Sequence, residues 1–174
     1  MSFADALKTG LLLWLAVLLQ ATMLSGLGLA SPDLVLVAIV VVALLRGAIV
    51  GSIAGFMAGL LLDVTTLSPL LGVTSLILAT TGYWIGRYGE TTGRDRAHAP
   101  YLAVAVATVL AIFATVALFF LLQQPLSTQR MLFHALPGRL VLDVLLTAPL
   151  FRATRRLLRR PGTLERTAEV RLLG

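Results

Sequence analysis

The residues from Asp33 to Asp63 read DLVLVAIVVVALLRGAIVGSIAGFMAGLLLD. Arg46 is the only charge among the 29 residues between these two. As one helix these residues would extend about 43 Å at 1.5 Å per residue, which is too long for one upright span of a ~30 Å hydrocarbon core. Arginine is costly at the bilayer centre but cheap at the interface. The sequence therefore predicts two short helices that meet at Arg46 and Gly47.

The chain as a whole has the composition of a membrane protein. Of its 174 residues, 58% are hydrophobic and 13% are charged, whereas soluble domains average roughly 25% charged residues. One soluble core cannot bury so much apolar surface, so the surplus must face lipid. This excludes a soluble enzyme, a disordered protein and a coiled coil. The absence of cysteine excludes a disulfide framework, a thiolate zinc site and a cysteine nucleophile.

Three further intervals without charge are long enough to contain a membrane-spanning helix each. They cover residues 9–32, 64–86 and 99–129, and we place helices in them at about 7–27, 70–85 and 101–122. A last helix is predicted from Pro137, where proline suits the first turn, to Phe151. The predicted fold is an all-α integral membrane protein. It is a six-transmembrane-helix bundle over residues 1–151, followed by a basic cytoplasmic tail over 152–174.

Basic residues orient this bundle. Six spans place both termini on one side, which then receives 12 of the 14 basic residues, and the other side receives Arg130 and Arg139. Because loops rich in Lys and Arg stay in the cytoplasm, both termini are predicted to be cytoplasmic. The net charge of +6 thus orients the chain and does not indicate nucleic-acid binding. The tail is predicted to lie on anionic lipids through Arg152, Arg155, Arg156, Arg159 and Arg160.

A row of small residues marks the third predicted helix. Gly47, Gly51, Gly55 and Gly59 recur every four residues and end at Asp63, so they share one helix face. Small faces let membrane helices approach closely. Two interpretations remain open: packing inside the bundle, or a groove for a transmembrane helix of another protein, to which the neighbouring Phe56 would also belong. Asp63 itself either hydrogen-bonds the following turn or forms a contact or ion site on the external face.

Two ionisable residues fall inside the last predicted helix. Arg139 and Asp143 are four residues apart, so their side chains can pair on one face. Ionisable groups within a span usually face the interior and pair with one another. An intramembrane ion pair is the favoured interpretation, and a proton or substrate pathway is the alternative.

Motifs of catalysis do not occur in the sequence. We find no H-E-x-x-H, no G-x-x-x-x-G-K-[ST] and no G-x-S-x-G, which are the patterns of metalloproteases, P-loop nucleotide sites and nucleophile elbows. The sequence therefore predicts a protein that is not an enzyme, with no catalytic, cofactor-binding or metal-binding residues.

Several short motifs resemble the family of rod shape-determining membrane proteins MreD. They are Leu18-Leu19-Gln20, Pro32-Asp33-Leu34-Val35-Leu36, Pro149 before the basic exit of the last helix, and above all Gly55-Phe56-Met57-Ala58-Gly59-Leu60-Leu61-Leu62-Asp63 followed by Leu71-Gly72-Val73. Together with the length and the six-helix count, the resemblance covers nearly the whole chain. It implies a multi-pass component of the bacterial cytoplasmic (inner) membrane.

The resemblance also implies a function and a set of partners. It implies a non-enzymatic component of the cell-elongation machinery that supports side-wall peptidoglycan synthesis and rod shape. The implied partners are MreC, the glycosyltransferase RodA, a class B penicillin-binding protein and, indirectly, MreB filaments. The family is similar in fold to the substrate-binding subunits of energy-coupling-factor vitamin transporters. A small-molecule transport subunit is therefore the alternative, and it predicts polar residues around a cavity near the external side.

Overall fold

The structure is a computed structural model that describes residues 3–24, 32–67, 70–92, 98–123 and 136–157. These residues form six helices and no strands, which confirms the predicted all-α, six-helix architecture. In chain order the helices are α1 (Phe3–Leu24), α2 (Leu34–Arg46), α3 (Ala48–Thr65), α4 (Val73–Thr92), α5 (Ala99–Leu121) and α6 (Leu136–Leu157).

Helix α2 forms the centre of the bundle. Its residues from Val35 to Ala43 are 0 to 1% exposed, and it contacts each of the other five helices. The sequence explains this position, because a helix that is apolar on every side can be stable only when every side is covered. The other helices surround α2 and turn large apolar side chains outward, among them Trp14, Ile53, Leu110 and Phe113, each more than half exposed.

The predicted break at Arg46 and Gly47 is confirmed. Helix α2 ends at Arg46, and α3 begins at Ala48 after a single residue, Gly47, whose φ is 93°. This left-handed backbone favours glycine, which has no Cβ to clash. The first turn of α3 is completed from elsewhere in the chain, because the Glu90 carboxylate on α4 accepts a hydrogen bond of 2.9 Å from Ala48 N.

Helix α4 differs most from its predicted bounds. It begins at Val73 and continues to Thr92, whereas the prediction was 70–85. The prediction ended the helix before Arg87, but a charge at a membrane surface does not end a helix. Arg87 and Glu90 lie one turn apart on the exposed extension and form an ion pair of 3.5 Å. Helix α6 likewise continues past residue 151 through the first tail arginines to Leu157.

Within the described residues, three segments are long and apolar enough by themselves to cross a membrane. They are Asp5–Thr22, Ala48–Thr65 and Ala99–Leu121. Helix α2 is equally apolar but has 13 residues, about 20 Å at 1.5 Å per residue. These helices and the apolar outer surface identify a membrane protein.

Candidate functional site

The glycine row of α3 packs against α4. A Cβ at Gly51 would lie 2.6 Å from the carbonyl oxygen of Gly82, and one at Gly59 would lie 2.5 Å from Ser75 Cα. Gly55 faces the Leu78 carbonyl group in the same way. Real side chains do not tolerate contacts this short, so the two backbones can approach only because these positions lack a Cβ.

Helix α4 contributes a matching glycine face. Gly82 and Gly86 are also four residues apart, and a Cβ at Gly86 would lie 2.5 Å from Ala48 Cα. This spacing was readable in the sequence and was missed. The interpretation of the α3 row as a groove for another protein's helix is therefore wrong, because α4 fills it.

Two residues assigned to the groove lie elsewhere. Gly47 forms the break between α2 and α3, beneath the Glu90 side chain. Phe56 is half-exposed, on a part of α3 away from the glycine contact.

Asp63 ties the end of α3 to the start of α4. Its side chain is buried, with the residue 1% exposed, and its Oδ2 accepts a hydrogen bond of 2.8 Å from Gly72 N. Gly72 has a φ of 95°, so glycine suits this turn. The placement agrees with the turn-bonding interpretation of Asp63.

Arg139 and Asp143 belong to a cluster with a third charge, Asp33. Arg139 Nη2 donates to Asp33 Oδ2, whereas its Nε lies 3.8 Å from Asp143 Oδ2, beyond hydrogen-bond distance. Asp143 Oδ1 instead accepts a bond of 2.7 Å from Asp33 N. The predicted pair is thus a three-residue cluster in which Asp33 is the closer partner of Arg139.

Neighbouring polar groups add hydrogen bonds to the cluster, while Arg139 Nε has no hydrogen-bond partner among the described residues. Thr108 Oγ1 donates to Asp143 Oδ2 at 2.9 Å, and Asp33 Oδ1 caps α2 by accepting from Leu36 N at 3.0 Å. Gln20 Oε1 accepts from Val35 N at 2.8 Å. Buried polar groups are costly unless bonded in this way. Asp33, Thr108 and Gln20 were not assigned to the site, although Pro32-Asp33 before an apolar run is a helix-start signal.

The cluster borders a cavity of about 260 Å³. The six described helices all contribute to its lining: α1 and α3 near their last turns, α5 in its second half, and α2, α4 and α6 near their first turns. Its polar lining consists of Gln20, Asp33, Asp63, Thr66, Thr74, Thr115 and Arg139. The transport alternative predicted polar residues around a cavity, and these residues line one.

Comparison with protein families gives a match over residues 6–160 to MreD, described as rod shape-determining protein MreD. The chain belongs to the MreD family. The resemblance drawn from the sequence motifs is thus confirmed, and the protein is a rod shape-determining membrane protein of a family with a structural role. Neither a curated protein nor a solved structure matches the chain.

The opposite end of the bundle carries the described basic residues other than Arg139. Arg46 pairs with Asp5 at 3.3 Å, which joins the start of α1 to the end of α2. Arg152, Arg155 and Arg156 are exposed on the last turns of α6, while Arg159 and Arg160 lie outside the described residues. In the part of the chain that the structure describes, no three His, Cys, Asp or Glu side chains are grouped as metal ligands.

Proposed function

We propose that the chain is a non-enzymatic membrane component of the cell-elongation complex that binds MreC and supports side-wall peptidoglycan synthesis and rod shape. The match to the MreD family over residues 6–160 carries this proposal. RodA, a class B penicillin-binding protein and MreB are then part of the same assembly, reached directly or through MreC. The exposed arginines of α6 support binding to the anionic cytoplasmic leaflet.

A groove between α1 and α3 is the surface we assign to the MreC transmembrane helix. It encloses about 360 Å³ and is lined by apolar side chains, including Trp14, Met57 and Leu60. Gly10 also lines it, and a Cβ there would meet no atom within 4 Å. Small residues on an outer face provide the close approach that joins membrane helices. With the glycine row of α3 occupied by α4, Gly10 is the open notch that supports docking.

The test is recovery of MreC with Gly10→Leu, normalised to folded protein in the membrane. The new side chain enters open space, so folding should persist, while MreC recovery should fall roughly tenfold, equivalent to about 1.4 kcal/mol of lost contact. Ala117→Leu is the matched control, because Ala117 is also exposed but lies on α5. Equal MreC recovery with both variants would contradict this docking surface.

A small-molecule transport subunit remains a second candidate, favoured by the polar cavity of about 260 Å³. The two functions differ in what accompanies the protein from its native membrane. The proposed function predicts MreC and the synthase pair, whereas the transport function predicts an ATPase-driven transporter module. Recovery of the ATPase module without MreC would favour the second candidate.

We further propose six spans with both termini cytoplasmic in the inner membrane. The 12-to-2 division of basic residues supports this orientation. Because the chain has no cysteine, single cysteines at Arg94 and Ser127 can be labelled with an impermeant thiol reagent in intact cells. We expect labelling at position 127 and protection at position 94. Labelling of both positions, or of neither, would contradict six spans.

A further inference from the structure

We propose that the cavity between the six helix ends binds the ammonium group of a small amine, either a free amino alcohol or the ethanolamine headgroup of a lipid. This site is distinct from the groove assigned to MreC. The proposal rests on the charge, the hydrogen-bonding groups and the size of the cavity.

The charge of the lining is negative. Asp33, Asp63 and Arg139 are its ionisable residues among those described, and two carboxylates oppose one guanidinium. That guanidinium is already engaged by Asp33, with Asp143 behind it. Asp63 is buried and has no ion-pair partner among the described side chains. Helices α2, α4 and α6 begin at the cavity and α1 and α3 end there, so the charges of their ends leave roughly half a positive charge. The lining therefore still favours a cation.

Two of the three hydroxyl groups of the lining, those of Thr66 and Thr115, are set to accept hydrogen bonds. Thr66 Oγ1 donates its proton to the Leu62 carbonyl at 2.8 Å, and Thr115 Oγ1 donates to the Ala111 carbonyl at 2.7 Å. Each hydroxyl has a single proton, which these bonds already use. Its oxygen can therefore only accept a hydrogen bond from a ligand in the cavity. The Asp63 carboxylate is also an acceptor. An ammonium group has three donors and no acceptor, which complements these acceptors, whereas Gln20 and Arg139 are the donors of the lining.

Size distinguishes an amine from a metal ion. A volume of about 260 Å³ corresponds to roughly eight or nine waters at ~30 Å³ each, far more than a bare cation occupies. The described residues also lack a group of three or more metal-ligating side chains. Leu36, Ile77 and Ile112 form an apolar part of the wall, which suits the carbon atoms of a small amine.

The test measures the thermal unfolding midpoint of the purified full-length protein in detergent. Saturating ethanolamine should raise the midpoint by roughly 5 °C through binding to the folded state. Ethylene glycol, which replaces the amine by a second hydroxyl, should not. Asp63→Asn keeps the shape and an acceptor for Gly72 N but removes the charge, and should weaken ethanolamine binding roughly tenfold or more. Asp5→Asn makes the same change at the opposite end and should leave binding intact.

A second variant tests the proposal independently if Asp63→Asn does not fold. Thr115→Met fills the cavity without changing its charge and should abolish the response to ethanolamine. The source of the amine is then decided in vesicles that contain phosphatidylethanolamine or, in its place, the neutral, amine-free monoglucosyldiacylglycerol. Stabilisation by phosphatidylethanolamine alone identifies a lipid headgroup, and stabilisation by free ethanolamine identifies a soluble amine.

Three results would overturn the proposal. The first is equal response of the unaltered protein to amine and glycol, together with equal stability in the two kinds of vesicle. The second is an unchanged response of Asp63→Asn to the amine source that stabilises the unaltered protein, whether free ethanolamine or phosphatidylethanolamine. The third is an unchanged response of Thr115→Met to that same source. None of these depends on whether MreC is the partner.

Discussion

The α3–α4 contact and the cluster around Asp143 both join helices, and they do so by opposite means. Between α3 and α4, side chains are absent, and backbones meet through Gly51, Gly55 and Gly82. At the other site, Arg139 reaches from α6 to Asp33 at the start of α2. The first contact depends on many small dispersion contacts, and the second depends on a few charges that offset one another's burial cost.

This difference predicts different responses to substitution. A glycine contact cannot relax around a new side chain when the opposing atoms are backbone, so a single larger residue separates the helices. A charge cluster retains its shape when one member is lost but leaves the remaining charges uncompensated. Its members should therefore depend on one another.

Gly55→Leu should cause the largest loss. Its Cβ would lie within 2.9 Å of Ala79 N, so α4 must move away, at a cost of roughly 3 kcal/mol or more. The amount of folded protein in the membrane should fall severely, whether or not MreC is present. Ile53→Leu, on the exposed part of the same helix, should fold normally. Normal folding of Gly55→Leu would show that the α3–α4 contact is not close packed.

Arg139→Leu should destabilise the protein by about 3 kcal/mol, because two buried carboxylates lose their cation. Asp33→Asn should cost less, since Asn still caps a helix. The double variant should be less destabilised than the sum of the two, with a coupling of about 1–3 kcal/mol. Chemical unfolding of the detergent-extracted protein measures this cycle.

A second double-variant cycle, of Arg139→Leu with Asp143→Asn, compares the two carboxylates as partners of Arg139. Arg139 lies farther from Asp143 than from Asp33, so its coupling to Asp143 should be smaller. Additive losses in the cycle with Asp33 would contradict the three-residue cluster.

Glu90→Ala should have a moderate effect. It removes the acceptor for Ala48 N at the start of α3, a loss of about 1 kcal/mol for a helix cap. Glu90→Gln keeps an acceptor and should cost less than about 0.5 kcal/mol. Arg87→Ala is the control, since the exposed pair of Arg87 with Glu90 is worth little. An equal loss for Glu90→Ala and Arg87→Ala would show that the cap does not stabilise α3.

The smallest effect on folding should come from Gly10→Leu, the variant that tests MreC binding. Gly10 and Gly55 have the same residue type in apolar helices, but only Gly10 faces open space. Its substitution should change the free energy of unfolding by less than about 0.5 kcal/mol. A severe folding loss at Gly10 would remove the distinction between an internal contact and an open notch.

Much of the architecture was readable from the sequence by itself. Intervals without charge predicted the helices. The cost of placing Arg46 inside a bilayer predicted the break at Gly47. These features depend on local composition and on the thickness of a membrane, and both act on a segment without reference to its neighbours. The family could likewise be inferred from the motif that runs from Gly55 to Asp63.

The contacts of the helix faces and of the charged side chains follow only from the tertiary structure. A row with a four-residue period shows which side of α3 is flat, but it contains no information on whether α4 or another protein covers that side. Arg139 and Asp143 are neighbours on one helix and could be paired by spacing, whereas Asp33 lies 106 positions from Arg139 in the chain. The cavity arises because the ends of six helices converge on one place, and no single segment encodes that convergence.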